Sequence, residues 1–162
     1  MKQPSVETIY RWLEEVKDPE IPVLSLVDLG VITAVNIEED LVKIEMTPTF
    51  VGCPALDMMK SEITEVLKKN GIEHVAIEIS YRIPWNSDRI SEKGRQALKK
   101  FGLAPPPSHH ELITDLDVLE HVACPRCNGT DTELKNAFGP TLCRSIHYCN
   151  TCREAFEQFK PI

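Results

Sequence analysis

Apolar residues in the first hundred positions change rhythm, recurring every three to four residues, then every second residue, then every three to four again. In "PSVETIYRWLEEVKDPE", Val6, Ile9, Leu13 and Val16 share one helical face. Ser5 is the expected N-cap, and Pro19 the stop, because a residue before proline is pushed out of helical geometry. "VITAVNI" and "LVKIEMT" alternate around the short turn "EED", which predicts an antiparallel hairpin. "PALDMMKSEITEVLKKNG" carries a stripe of Leu56, Met59, Ile63 and Val66, with Pro54 at the first helical position and Gly71 at the stop. "HVAIEISY" alternates again at Val75, Ile77, Ile79 and Tyr81. A helix links it to the preceding strand, so the two strands are expected to be parallel, with a right-handed crossover. "SEKGRQALKKFG" predicts a last helix capped by Ser91 and stopped by Gly102; Gly94 inside it costs about 1 kcal/mol of propensity.

The order α-β-β-α-β predicts the α/β (α+β) class, with helices packed on a short mixed sheet over residues 1–103. "APPPSHH" reads as a semi-rigid, proline-held linker, placing a boundary at 104–116. Beyond it, "TELKNAF" and "RSIHY", joined at Gly139-Pro140, and "EAFEQF" predict a three-stranded module over 117–162. A chain of 162 residues accommodates one ordinary domain and one small one.

That small module holds five of the six cysteines. Cys124-Pro-Arg-Cys127 and Cys149-Asn-Thr-Cys152 are two CxxC knuckles, 21 residues apart. Each lets two thiolates converge on one ion, and together they complete a tetrahedral four-sulfur site, the layout of a zinc ribbon. So short a segment cannot hold itself together by burial, so a structural zinc would supply its folding energy; iron or an iron–sulfur centre suits the same thiolates. Cys143 reads either as a small apolar strand residue or as a replacement ligand near that site. His121 and His147 flank the knuckles with no necessary role beside four thiolates, and His109 and His110 are expected to face solvent.

Composition narrows the setting. An apolar fraction of 42% and a charged fraction of 27% are those of a soluble globular protein, and the N-terminus lacks the uninterrupted apolar core of a signal peptide. A cytoplasmic location is expected, where clustered cysteines stay reduced and bind metals. No apolar run reaches the length of a membrane span, so no membrane partner is expected. A net charge of −7 argues against nucleic acid. The ribbon mixes Arg126, Lys135, Arg144, Arg153 and Lys160 with Asp131, Glu133, Glu154 and Glu157 and has no basic cluster, which makes protein docking its expected use.

Cys53, in "TPTFVGCPALDMM", stands alone. Placed immediately before Pro54, it is expected at or beside a helix N-cap, where the dipole and unpaired N–H groups lower a thiol's pKa. It reads either as a reactive thiolate that ligates metal or takes part in sulfur chemistry, or as a small cap residue in a packed turn. Asp18 and Glu20 in "KDPEIP", and Asp28 in "LVDLG", either converge on that loop or cap turns.

"DPEIPVLSLVDLGVI", "TPTFVGCPA" and "PWNSDRISEKGRQALKKFGLAPP" resemble the domain shared by cytosolic iron–sulfur assembly factors and the SufT proteins. "CPRCNGTDTELKNAFGPTLCRSIHYCNTCREAFEQFK" resembles the ribbon of one branch, the D (or J) subunits of the phenylacetyl-CoA ring-epoxidising oxygenase. The resemblance covers nearly the whole chain. It departs from the family pattern at Arg89, at Val51-Gly52 and at Ala155. It implies a non-catalytic accessory protein that matures or delivers iron or iron–sulfur centres, with oxygenase subunits or iron–sulfur clients as partners. No Glu-x-x-His pair or Gly-rich nucleotide loop is present to make the chain the oxygenase or its reductase. Under the resemblance, Asp18, Glu20 and Asp28 match the family's acidic positions and Cys53 its loop cysteine. Cys124, Cys127, Cys149 and Cys152 match the ribbon ligands, and Cys143 a cysteine usual in the branch. A stable structural subunit, a general assembly factor, a thiol redox enzyme and a homodimer are the alternatives.

Overall fold

A computed structural model describes residues 4–108 and 119–161. The chain divides into two compact units, residues 1–85 and 86–162. Among the described residues no helix is long and apolar enough to cross a membrane.

The first unit opens with α1 (Val6–Leu13), whose N-cap Ser5 accepts a hydrogen bond from the Thr8 N–H. The helix ends well before Pro19. The Val16 carbonyl accepts the Leu26 N–H at 3.0 Å and Lys17 bridges Ser25, pairing that draws the chain off the helical path. Ile9 and Leu13 are buried on the helix and Val16 is buried beyond it, whereas Val6 is exposed. Strands β1 (Ile32–Glu38) and β2 (Leu41–Met46) form the expected antiparallel hairpin, turning at Glu39 with φ 50°. Helix α2 (Leu56–Lys69) buries Met59, Ile63 and Leu67, so its apolar stripe runs one position later than the sequence suggests at its far end. Strand β3 (His74–Ile79) pairs with β2 in parallel, as expected from the helical crossover. Val42, Ile44 and Met46 of the central strand are buried, and the core continues into Ile21, Leu24, Leu26 and Leu29 of the long loop before β1. Trp85 closes the unit by donating its indole N–H to the Leu29 carbonyl at 3.0 Å.

The boundary differs from the expected 104–116. Residues after Trp85, including a short 3-10 turn (Ser87–Arg89) and α3 (Glu92–Phe101), belong to the second unit. Ser91 caps α3 and Gly102, at φ 95°, ends it, both as the sequence predicts. The next two residues form β4 (Leu103–Ala104), which pairs in parallel with β7 (Glu154–Phe159). The first residue of the expected linker is therefore a strand residue, and Arg95 holds the Pro106 carbonyl. A two-residue strand has no periodicity to betray it. With β5 (Thr132–Asn136) and β6 (Arg144–Cys149), the sheet order is β4-β7-β6-β5. His109 and His110, with most of the expected linker, lie outside the described residues.

Candidate metal centre and the lone thiol

The two knuckles of the second unit are built alike. In the first, the Asn128 N–H returns to the Cys124 carbonyl at 2.9 Å; in the second, the Arg153 N–H returns to the Cys149 carbonyl at 2.8 Å. Asn128 and Arg153 adopt φ 58° and 62°, left-handed turns that fold each second cysteine back beside the first. The Gly129 N–H donates to Cys127 Sγ at 3.3 Å. A Cβ at Gly129 would stand 2.8 Å from Thr151 Oγ1 and 3.1 Å from that sulfur, so glycine lets the two knuckles close.

All four sulfurs lie within 4.8 Å of one another, with Cys124–Cys152 at 3.8 Å and Cys127–Cys149 at 3.6 Å. These separations are too long for disulfides, in which the sulfurs are about 2.05 Å apart. They match a tetrahedron about one ion with metal–sulfur bonds of about 2.3 Å, whose edges are about 3.8 Å. An iron–sulfur cluster, its irons spread by bridging sulfides, would hold the sulfurs farther apart. The donor set therefore fits a single four-thiolate metal. Backbone N–H groups of the second knuckle, Cys152's foremost, lower the Cys149 thiol to about 7. Burial and then the neighbouring sulfurs push Cys152 up to about 12. Within the second knuckle the two thiols thus oppose each other's ionisation, an opposition that a cation bound between them relieves.

Cys143 does not join them. It lies in the turn just before β6, buried beside Thr141 Oγ1 at 3.1 Å, and its carbonyl takes the Lys160 N–H. Six residue steps, about 20 Å of extended chain, carry it away from Cys149, a placement that suits the small-apolar reading. His147 is also no ligand. It is buried, stacked on Phe156 at 5.3 Å, with Nε2 2.9 Å from Ser145 Oγ, and burial lowers its pKa. Ser145, His147 and Gln158 form a buried polar group that the sequence reading missed; the alternation of "RSIHY", which aims Ser145 and His147 to one face, was its available signal.

In the first unit, Cys53 is half-buried on the loop between β2 and α2. Helix α2 starts at Leu56, not at Pro54, and Ala55 occupies the cap position. The expectation of a lowered pKa is corrected. Burial raises it, outweighing hydrogen bonds from the Ala55 and Leu56 N–H groups, and the charges of Asp18 and Glu20 push it further up. Cys53 is a thiol held protonated by its surroundings. Asp18 also caps a turn, accepting the Glu20 and Ile21 N–H groups, both at 2.9 Å. Asp28 Oδ2 accepts the Ser25 hydroxyl at 2.7 Å, and that hydroxyl in turn accepts the Asp28 N–H at 3.0 Å, so Ser25 caps this turn and Asp28 orients the cap.

Comparison with known proteins follows this division. A family described as iron-sulfur cluster assembly protein matches residues 6–79, and one described as PaaD zinc beta ribbon domain matches residues 108–160. The D component of the "Putative 1,2-phenylacetyl-CoA epoxidase" of Escherichia coli is 35% identical over 98% of this chain and 94% of its own length. The chain belongs to the family of phenylacetyl-CoA epoxidase D subunits. An "Fe-S protein maturation auxiliary factor" of Porphyromonas gingivalis is 38% identical, with 54% of this chain covering 84% of that protein. A Bacillus anthracis domain of unknown function, DUF59, is 30% identical with a TM-score of 0.54, covering 57% of this chain and 89% of the domain. The D-subunit family thus joins an assembly-type unit, found alone in shorter relatives, to a four-cysteine ribbon.

Proposed function

We propose that this chain is a non-enzymatic accessory factor of a phenylacetyl-CoA ring-epoxidising oxygenase, maturing or delivering the iron or iron–sulfur centre of its partner subunits. Iron is cargo in this reading. Cys53 is its transient ligand, with Asp18 and Glu20 as adjacent anionic oxygens. The four ribbon cysteines hold a resident zinc that supplies fold and a docking module. In the ribbon Arg126 pairs with Glu154, Lys135 with Glu133 and Arg144 with Glu157, which leaves mixed charge suited to a protein surface.

The carrying observation is that Cys53 is a partly accessible thiol kept protonated beside two carboxylates. Such a group is inert until a cation displaces the proton. Metal binding and release are then exchanges against a proton, which suits a carrier better than a permanent site. In cells co-expressing the oxygenase subunits, Cys53→Ser is expected to lower their iron content and activity while leaving zinc on this chain unchanged. Partner iron and activity equal to wild type would sink the carrier role.

A further inference from the structure

At the end of the first unit opposite Cys53, a cavity of about 530 Å³ opens beside the β1–β2 turn. Strand β1 ends here and β2 and β3 begin, with Glu38 opposite Leu41 and Leu41 opposite His74, and α2 ends here at its cap Asn70. Cys53 follows the other end of β2, whose six residues span about 16 Å. Trp12 of α1, Ile37 of β1 and Ile72 line the cavity, and all three are half-buried. Among the described residues no second ring stacks on Trp12 and no cation lies over it. Glu39, Asp40 and Glu73 are exposed on the same lining, and no lysine or arginine among the described residues joins them. Lys68 and Lys69, in the last turn of α2, are exposed but do not line the cavity, and His74 is its one ionisable base. The C-terminal pole of α2 adds negative potential at the same place. The volume is that of a ligand site, about 300–1,000 Å³.

We infer that this cavity is a recognition site for an arginine side chain presented by a partner protein. The lining selects the chemistry. An anion would meet three carboxylates, a hydrated inorganic cation gains little from an indole and two isoleucines, and a purely apolar ligand leaves the acidic rim unused. An arginine suits both parts. Its guanidinium is planar and weakly hydrated, stacks on an aromatic face and donates a fork of N–H groups to carboxylates, while its alkyl stem covers apolar side chains. Lysine's compact, strongly hydrated ammonium makes less of the ring. The cavity is larger than one arginine side chain fills, which leaves room for flanking residues and favours a peptide segment over a free cation. A basic segment is also the electrostatic complement of this acidic rim. Because the cavity lies at the far end of β2 from the thiol, a partner held there leaves Cys53 accessible, and the site does not depend on what Cys53 carries.

The test titrates the full chain with the acetylated, amidated tripeptide Ala-Arg-Ala while nitrogen-15 NMR follows the Trp12 indole N–H and the amides of Gly71, Ile72 and Glu73. The chain has two tryptophans, and Trp12→Phe assigns their indole signals. A saturable shift confined to these groups is expected, with a dissociation constant below about 10 mM. The same peptide with norleucine in place of arginine, which keeps the stem and loses the charge, is expected to bind about tenfold more weakly or worse. Asp40→Asn combined with Glu73→Gln, at two exposed positions, is expected to weaken arginine binding about threefold, and His74→Lys by a similar factor. Trp12→Leu is expected to weaken it about fivefold, and melting of each variant checks the fold. Cys53→Ser is expected to bind the peptide like the wild type. A norleucine peptide that binds as tightly makes the cavity a plain apolar groove and overturns the arginine assignment. Spermidine that binds there as tightly as the peptide assigns the site to a free polyamine and overturns the partner protein. Shifts scattered over the surface, or an Asp40/Glu73 double variant that binds like the wild type, overturn the site, and all of these outcomes leave the carrier role of Cys53 untouched.

Discussion

The two units use cysteine in opposite ways. In the first, Ile9, Leu13, Leu24, Leu26, Ile44, Met46, Ile63 and Leu67 are all fully buried, and the core closes without sulfur from cysteine. In the second, Cys124 and Cys149 are themselves core, packed with Ala104, Val122 and Phe156. That buried cluster is small and two of its members are metal-site cysteines, so around the knuckles the thiols take a share of the packing that apolar side chains supply in the first unit. The first unit has no such need, and its one thiol stays outside the core. The difference shows that the role of a cysteine here follows from the amount of apolar core around it, more than from its immediate neighbours in sequence.

The sharpest way to break this contrast is to remove a ribbon ligand. Cys124→Ser is expected to reduce bound metal from about one ion per chain to near zero. Hydrogen exchange should then accelerate throughout β5–β7 and remain unchanged in β1–β3. A ribbon that stays protected without metal would show that burial suffices there.

Next in size is the converse test. Leu67→Ala in α2 is expected to cost the first unit about 2–5 kcal/mol in urea unfolding, with zinc content unaffected. Loss of zinc in that variant would mean that the units do not fold separately.

A smaller effect concerns the reactivity of the lone thiol. With its pKa raised above the ordinary 9.0, Cys53 is protonated below that value and ionises only as pH rises past it. Its alkylation by iodoacetamide should therefore have a midpoint above pH 9.0, and Asp18→Asn or Glu20→Gln should move that midpoint downward. A midpoint near neutrality in the wild type would restore the helix-activated thiolate that the sequence suggested.

The smallest expected change comes from Cys143→Ala, about 1 kcal/mol for a lost buried group, with metal content intact. Zinc loss in that variant would put Cys143 at the metal after all.

The sequence by itself determined the first unit's strand pairings, because alternation and the "EED" turn fix a hairpin and a helical crossover fixes a parallel neighbour. It also determined which four sulfurs meet, since CxxC spacing can satisfy one ion only by converging. These are local rules, written within a few residues of where they act. Tertiary structure alone decided where α1 ends, because the partner that draws Val16 away is Leu26, ten residues on. It decided that α3 and β4 join the ribbon's unit, through the pairing of Leu103 and Ala104 with β7 more than fifty residues downstream. It set Cys143 in the turn before β6, with Cys149 at that strand's far end. And it reversed the sign of the Cys53 shift, because burial and the charges of Asp18 and Glu20, brought in from another loop, outweigh the N–H groups next to it in sequence. Burial and charge depend on what comes close in space, and spacing along a chain does not encode that distance.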